Sequence, residues 1–244
     1  MSGLAGRTCV VTGASSGIGH SLAEGLAAAG ARVWAIARSR DRLETLVEQV
    51  ESGPGEVVPL VADLERDEDI ESAGREILAA GNGVDVLIHS AGAIGLGTFE
   101  SATAAELDRQ YRVNLRAPFV LTQVLLPALK HAEGQVVFIN SSAGLKASAN
   151  NVLYAATKHG LKALADGLRE QVNRDRVKVI SVYAGRTATP MQASVHAFEE
   201  REYRPERLLQ PDDVVEVVLA ALSVSEHGEV TDVNVRAMAK VPSP

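Results

Sequence analysis

A tyrosine and a lysine stand four residues apart in the segment "VLYAATKHGL", residues 152–161. On an α-helix this spacing returns to the same face, so Tyr154 and Lys158 are expected to project side by side. A phenol with a pKa of about 10 is mostly protonated near neutral pH, so it can donate a proton but is slow to accept one. Because an ammonium stabilises phenolate, we expect Lys158 to lower the pKa of Tyr154 into a range useful for acid–base chemistry. The alternative is an ordinary solvated helix face.

Strand-length apolar runs alternate with longer segments of helical period along the whole chain. Runs such as "CVV", "VLI" and "VVFI" are continuous, which is typical of parallel strands covered on both faces. The predicted strands are TCVVT, RVWAIA, EVVPLVA, VDVLIHS, GQVVFIN, VKVISVY and EVTDVNV, and the predicted helices are 18–29, 40–51, 67–80, 103–131, 152–172 and 211–223. This order predicts the α/β class, a single doubly wound Rossmann-like domain over 1–244 with about seven parallel strands and helices on both faces. Its ligand is expected at the carboxyl ends of the strands.

Composition excludes several classes of function. The formal charge of −7 and the lack of a basic cluster argue against a nucleic-acid partner. No apolar run reaches the length of a membrane span and no signal peptide is recognisable, so we expect a cytoplasmic protein. The single Cys9 lies in a predicted buried strand and is interpreted as a core residue. The six histidines lack ligand spacing, so no metal site is predicted.

A glycine-rich turn follows the first predicted strand, in "TGASSGIGHSLAEGLAAAG". Glycines there let the turn tighten and bring backbone amides close to a pyrophosphate at the helix N-terminus. The alternative is a turn needed only for packing the helix on the strand. The predicted cofactor-binding residues of this turn are Gly13, Ser15, Ser16, Gly17, Ile18 and Gly19.

The end of the second strand bears on which dinucleotide binds. An NAD site is expected to place a carboxylate about twenty residues after the glycine turn, but Ala37 stands there and Arg38 follows. The planar guanidinium of Arg38 suits a 2′-phosphate, with Ser39 and Arg40 expected nearby. NADP(H) is therefore the predicted cofactor, with NAD(H) as the alternative.

Five motifs occur together in a fixed order: "TGASSGIG" (12–19), "HSAG" (89–92), Asn114, "INSSAG" (139–144) and "YAATK" (154–158). In this combination the chain resembles the classical short-chain dehydrogenase/reductase family over essentially its whole length. The resemblance implies an NAD(P)-dependent oxidoreductase acting on CH–OH or C=O groups. It implies a catalytic tetrad of Asn114, Ser141, Tyr154 and Lys158.

The same resemblance implies further roles. Ser141 lies three residues before Gly144 and thirteen before Tyr154, as the family's serine does, which favours it over Ser142. Tyr154 would protonate the carbonyl oxygen, Ser141 would donate a hydrogen bond to it, Lys158 would bind the nicotinamide ribose, and Asn114 would hold a water. The remaining cofactor contacts implied are Asp63 and Leu64 at the adenine, Ser90, Ala91 and Gly92 at the adenosine ribose, and Gly185, Thr187 and Thr189 at the nicotinamide.

Three segments depart from the family pattern. His89 replaces an asparagine that ties strands together, and we interpret it as structural. Ala184 stands where a proline is usual, which leaves open whether Thr187 or Thr189 contacts the nicotinamide. The C-terminal segment from 229 onward lacks the family's glycine-rich close.

Three functions remain open from the sequence. The leading one is an NADP-dependent oxidoreductase of a carbonyl or secondary alcohol. An NAD-linked alcohol dehydrogenase of the same family is the second, and a non-catalytic dinucleotide-binding sensor or scaffold is the third. The family also pairs the helices corresponding to 103–131 and 152–172, so we expect a homodimer or homotetramer.

Substrate selection is expected from a mobile lid at about 186–210, with lips from 93–97 and 145–152. The apolar candidates for the pocket lining predict a hydrophobic small-molecule carbonyl compound as substrate. Lys146 and Arg186 are either anchors for an acidic group or solvated loop charges. The lining candidates are Ile94, Leu96, Leu145, Val152, Leu153, Met191, Val195 and Phe198.

Overall fold

Seven strands form one parallel sheet in the computed structural model, which describes residues 3–238. The strands are β1 (Thr8–Thr12), β2 (Arg32–Ala37), β3 (Glu56–Val61), β4 (Val86–His89), β5 (Gln135–Ser141), β6 (Lys178–Ala184) and β7 (Asp232–Val235). Their order across the sheet is β3-β2-β1-β4-β5-β6-β7, and every neighbouring pair is parallel. The predicted fold class is confirmed.

Helices cover both faces of the sheet. They are α1 (Gly17–Ala28), α2 (Arg40–Val50), α3 (Asp67–Ala79), α4 (Ala104–Tyr111), α5 (Ala117–His131), α6 (Val152–Val172), α7 (Pro190–Phe198) and α8 (Pro211–Leu222). On one face, apolar residues of α1, α2 and α8 pack on the sheet, and on the other those of α3, α5 and α6 do so. This two-sided burial explains why β1 is buried at every position and reads as a continuous apolar run.

The predicted helix 103–131 is wrong as a single element. Thr103 is instead the N-cap of α4, where its side chain accepts a hydrogen bond from the Glu106 backbone amide. A π-helical turn, Arg112–Arg116, then separates α4 from α5. A π-turn inserts a residue into the helical repeat without glycine or proline, so the sequence pattern carries no sign of it.

The segment between β6 and α8 contains a helix that the sequence analysis does not predict. Pro190 occupies the first turn of α7, and Thr189 caps it by accepting a hydrogen bond from the Gln192 amide at 3.2 Å. Thr187 and Leu209 form a parallel bridge at the base of the segment. The predicted lid at 186–210 is therefore a helix-containing loop whose two ends are hydrogen-bonded to each other.

The strand order reverses between β1 and β4, which lie side by side. The chain reaches β4 only after passing outward through β2 and β3, so the loops after β1 and β4 leave in opposite directions and open a crevice. The carboxyl ends of β5 and β6 border the same edge of the sheet. Within residues 3–238, no helix combines the length and apolar character needed to cross a membrane.

Candidate active site

One cavity of about 490 Å³ runs along the carboxyl edge of the sheet. It is bordered by the glycine-rich turn after β1, the ends of β2, β3 and β4, the β5 loop, α6 and the segment that begins after β6. All the predicted cofactor and catalytic residues line it except Asn114, which is buried behind it. The structure therefore brings together residues that are spread over more than 170 positions of the sequence.

The turn after β1 has no room for side chains at two of its glycines. Gly13 has a φ of +72°, and a Cβ there would lie 2.7 Å from the Ala91 Cα. A Cβ on Gly19 would lie 2.4 Å from the Gly13 carbonyl oxygen. The first contact closes the turn against the β4 loop, and the second presses α1 onto the turn.

The N-terminus of α1 faces this cavity with its amides available. Its N-cap residue, Ser16, makes no side-chain capping bond, and Gly17, Ile18 and Gly19 line the cavity. The first amides of a helix have no partner within the helix and carry its positive dipole end. The chain's residues thus fit a pyrophosphate at this position.

The end of β2 presents a cation and no carboxylate. Ala37 is buried, Arg38 follows it into the cavity wall, and the Arg38 side chain is 70% exposed. Its guanidinium lies 3.6 Å from the carboxylate of Glu65, which the sequence analysis did not single out. Ser39 and Arg40, which the sequence placed nearby, do not line the cavity, because the chain turns there into α2.

The loop after β4 is held against β1 by one side chain. The Thr12 hydroxyl oxygen accepts hydrogen bonds from the amides of Ser90 and Ala91, both at 3.1 Å. At the end of β3, the Asp63 amide is bonded to the Asp69 carboxylate at 3.0 Å. Both loops therefore hold a defined shape where they border the cavity.

Tyr154, Ser141 and Lys158 form a compact group where β5 meets α6. The hydroxyls of Tyr154 and Ser141 are hydrogen-bonded to each other. The Ser141 oxygen also accepts the Ala143 amide at 3.1 Å, which orients it. Lys158 lies with its Nζ 5.8 Å from the Tyr154 ring centre and donates to the Ile139 carbonyl oxygen at 3.0 Å. The predicted shared face of Tyr154 and Lys158 is confirmed.

Burial controls the pKa values of this pair. It raises the pKa of Tyr154 to about 12, although the Ser141 hydrogen bond acts in the opposite direction. Burial also lowers the pKa of Lys158 to about 8. The expectation that the pKa of Tyr154 is lowered is wrong, because burial outweighs the lowering by the Ser141 hydrogen bond.

Asn114 lies in the π-helical turn and is fully buried. Its side-chain oxygen accepts the Ala93 amide at 2.7 Å. Its Nδ2 donates to the Ala93 carbonyl at 2.8 Å and to the Thr157 hydroxyl at 3.0 Å. Both amide protons are thus committed, and the side chain is a tie between the β4 loop and α6. The water that the family resemblance implies at Asn114 stays a prediction, and these two protons are not the groups that would hold it.

The loop after β6 closes the cavity from the opposite side. Gly185, Thr187 and Thr189 all line it, and the Thr189 hydroxyl donates to the Thr187 carbonyl oxygen at 3.3 Å. A Cβ on Gly17 would lie 2.9 Å from the Thr189 methyl group. The loop therefore contacts the glycine-rich turn directly, with Ala184 buried at the end of β6.

The lining of the substrate part differs from the predicted one. Ile94, Leu96, Met191, Val195 and Phe198 face the cavity as predicted. Leu145, Val152 and Leu153 do not, because Leu145 turns outward to solvent and the other two lie in the first turn of α6 away from the opening. Several polar residues that the sequence analysis did not single out do line it: Arg109, Ser148, Asn150, Asn151, Gln192 and Glu199. They come from separate elements, so no local pattern identifies them.

The two predicted lips meet. The Gly97 amide donates to the Asn150 carbonyl oxygen at 3.0 Å, and Gly97 and Asn151 form a parallel bridge. Arg186, the second candidate anchor, is held by Glu199 through two bonds of 2.6 and 2.7 Å. Arg186 is thus neither a solvated charge nor a free anchor.

Two further sequence interpretations are confirmed. Cys9 is fully buried in β1, and burial raises the pKa of its thiol to about 12, as suits a core residue. His89 is buried, bonded through Nε2 to the Thr122 hydroxyl at 2.8 Å and stacked on Phe138, which is a structural role. Across the described residues, no three His, Cys, Asp or Glu side chains are grouped in a way that would hold a metal ion.

Comparison with known proteins agrees with this fold. The family described as short chain dehydrogenase matches residues 7–200. Dehydrogenase/reductase SDR family member 11 of Mus musculus is 30% identical over 243 residues, covering 94% of each chain. The chain belongs to the short-chain dehydrogenase family, and so to the NAD(P)-dependent dehydrogenases and reductases.

Two solved structures are similar over nearly the whole chain. A metagenomic short-chain oxidoreductase in complex with NADP has a TM-score of 0.84 at 30% identity, covering 97% of this chain and 99% of the other. A putative NAD(P)-dependent gluconate 5-dehydrogenase from Beutenbergia cavernae, with bound NADP at low occupancy, has a TM-score of 0.85 at 32% identity and covers 95% of each chain.

Proposed function

We propose that this protein is an NADP-dependent oxidoreductase that transfers a hydride between nicotinamide and a carbonyl or secondary alcohol group. The observation that carries the proposal is the single cavity joining the glycine-rich turn to Ser141, Tyr154 and Lys158. One end of it suits a pyrophosphate and the other suits a proton transfer. The NADP complexes of the similar structures support the choice of cofactor.

The residues present fit NADP(H). The bare amides at the start of α1 receive the pyrophosphate, and Arg38 receives the 2′-phosphate. Gly185, Thr187 and Thr189 border the place for the nicotinamide. NADPH supplies the hydride when it is bound.

Tyr154 is proposed as the general acid. With a pKa of about 12 its phenol is protonated at neutral pH, so it holds the proton that a reduced carbonyl oxygen requires. Ser141 is bonded to that hydroxyl and is placed to donate to the same oxygen. The Lys158 Nζ lies 5.8 Å from the centre of the Tyr154 ring, where its charge stabilises the phenolate left after proton transfer.

The substrate is proposed to have an apolar body. Met191, Val195 and Phe198 lie along α7 at helical spacing and face the cavity, and Ile94 and Leu96 face it from the β4 loop. Such a wall favours contact with a hydrophobic carbonyl compound over a fully hydroxylated one.

One observation favours the NAD-linked alternative. The Glu65 carboxylate lines the cavity next to Arg38 and can accept hydrogen bonds from ribose hydroxyls. In that case Glu65, in the loop after β3, supplies the carboxylate that an NAD site is expected to have at the end of β2.

The test is to titrate the purified protein with NADPH and with NADH, and to follow nicotinamide absorbance with a panel of aldehydes and ketones. We expect tighter binding of NADPH and reduction of ketones that stops in Tyr154→Phe, while that variant still binds NADPH. A catalytic acid of this kind contributes on the order of 10²–10⁴-fold. If Tyr154→Phe retains more than about a hundredth of the activity, the assignment of Tyr154 is wrong. Binding without turnover of any compound would favour a sensor.

A further inference from the structure

The substrate part of the cavity has two unlike walls. Apolar side chains of α7 form one of them. The other wall, the substrate lip of residues 142–151, is polar where it lines the cavity except at Ala143. Its lining members are Ser142, Ala143, Lys146, Ser148, Asn150 and Asn151. A purely apolar substrate would leave this second wall without a partner.

The cations around this part of the cavity are not equivalent. Arg109 is committed to Glu106 by bonds of 2.7 and 3.0 Å and to the Ile94 carbonyl oxygen at 3.2 Å. Arg186 is neutralised by Glu199. Lys146 lines the same space and has no carboxylate partner within the described part of the chain. It is the cation left to meet a charge brought by the substrate.

The backbone places Lys146 close to the reacting group. The amides of Leu145 and Lys146 both donate to the Ser142 carbonyl oxygen at 3.1 Å, which fixes the turn that follows Ser141. A long, flexible stem carries the ammonium from this fixed base. Since Ser141, Tyr154 and Lys146 line one cavity, the ammonium can meet a substrate whose carbonyl lies at Ser141 and Tyr154.

The net charge of the protein affects how an acidic substrate reaches the cavity. At a formal −7, the protein repels anions at long range, so general attraction does not bring an acidic substrate to the cavity. Capture then depends on a local cation. A dianionic phosphate would need at least two, and the neighbouring guanidiniums are already paired, whereas a carboxylate needs one.

We propose that Lys146 binds a carboxylate of the substrate, so that the protein acts on amphipathic oxo acids or hydroxy acids with the apolar body against α7 and the carboxylate at the substrate lip. This rests on the proposed function and adds the substrate class. Lys146 contributes to substrate affinity and takes no part in proton transfer.

The experiment compares para-acetylbenzoate with its methyl ester, two aryl methyl ketones that differ in one charge. Reduction by NADPH is measured together with calorimetric binding of each compound to the NADP-loaded protein. Variants are Lys146→Gln, Lys146→Arg and, as a matched control, Lys130→Gln, whose lysine pairs with Asp175 away from the cavity. The affinity for NADPH is measured in all of them.

We expect the parent protein to prefer the acid, and Lys146→Gln to weaken its binding and raise its KM by about tenfold, as loss of roughly 1.4 kcal/mol implies. The ester, kcat and NADPH affinity should change little, and Lys146→Arg should restore most of the preference. Lys130→Gln should behave as the parent protein does.

Preference for the ester, binding of neither compound, or an acid preference that survives in Lys146→Gln would overturn the proposal. These outcomes are separable from failure of the proposed function. If the protein binds the acid through Lys146 but transfers no hydride to it, the carboxylate site stands and the oxidoreductase assignment does not.

Discussion

The hydroxyl of Thr157 connects two parts of the candidate site that sequence spacing treats separately. It accepts the Asn114 amide at 3.0 Å and donates to the Tyr154 carbonyl oxygen at 2.9 Å, and the side chain is buried. Thr157 thus ties the π-helical turn to the first turns of α6. It acts on the site only through these neighbours.

We predict that Thr157→Val lowers the free energy of unfolding by about 1–3 kcal/mol, because it leaves an Asn114 amide proton buried without an acceptor. Thr157→Ser keeps both hydrogen bonds and should lose clearly less. Urea unfolding of the two variants measures the difference. Equal losses would mean that the methyl group contributes as much as the hydroxyl, and would contradict the prediction.

A second prediction concerns the two serines that end β5. Ser141 is bonded to Tyr154, whereas Ser142 is exposed and begins a short 3₁₀ turn. Ser141→Ala should therefore reduce kcat substantially, by roughly the 10²-fold or more expected for a donor to a developing oxyanion. Ser142→Ala should have a small effect. The reverse order in steady-state kinetics would show that the assignment from spacing is wrong.

His89 gives a prediction about pH. Burial lowers its pKa to about 3, from about 6.5 in the unfolded chain. Between these values the unfolded chain binds a proton that the folded one does not, so stability falls as the pH falls. The slope in that window is about 1.4 kcal/mol per pH unit, or about 2 kcal/mol between pH 7 and pH 5.

His89→Asn, which restores the family's usual residue, should remove this part of the acid sensitivity. Urea unfolding at several pH values measures it as the difference between the parent protein and the variant. His227→Asn is the matched control, since that side chain is 88% exposed. Parallel curves for the parent protein and His89→Asn would contradict the burial argument.

At the scale of elements, the end of β2 leads to a prediction about cofactor choice. Arg38→Ala should weaken NADPH binding by on the order of 1.5–3 kcal/mol and change NADH binding little, because only NADPH carries the 2′-phosphate. Arg40→Ala is the control, since Arg40 lies outside the cavity next to Glu44. Calorimetry with both cofactors measures the effect. Equal losses for NADPH and NADH would remove Arg38 as the selecting residue.

The segment after β6 is the other element that matters for function. The bridge between Thr187 and Leu209 joins the two ends of the segment. The Arg186–Glu199 ion pair connects the end of α7 to the loop that follows β6. The Tyr203 ring also contacts the buried His196 edge to face. These contacts hold the segment together as one unit.

At the surface of the whole molecule, large apolar side chains are exposed on α4 and α5, on either side of the π-helical turn. Tyr111 is 44% exposed and Phe119 is 47% exposed, with Leu107 beside them in sequence on α4. We predict a homodimer or homotetramer in which this surface is covered. Light scattering at micromolar concentration should give two or four times the chain mass.

Tyr111→Glu and Phe119→Glu should shift that mass toward the monomer, because a carboxylate would be buried without a partner. Val224→Glu, at an exposed apolar position after α8, is the control. A monomer mass for the parent protein would contradict the prediction.

The fold class and most of the residues that line the cavity could be predicted from the sequence alone. Strands buried on both faces must be apolar throughout, so the α/β order is legible without tertiary information. The glycine spacing after β1 and the four-residue spacing of Tyr154 and Lys158 are local patterns, so both could be recognised in the sequence. The roles of Asn114 and Ser141 came from the family resemblance alone.

Features that depend on contacts between distant segments could not be predicted and were found in the folded structure. The π-helical turn, the pairing of Arg186 with Glu199 and the availability of Lys146 have no local signature. The pKa of Tyr154 is of the same kind: helical spacing supplies the neighbouring lysine, but burial by the surrounding elements decides the direction of the shift. Desolvation and charge pairing are properties of the assembled site, and a one-dimensional pattern does not contain them.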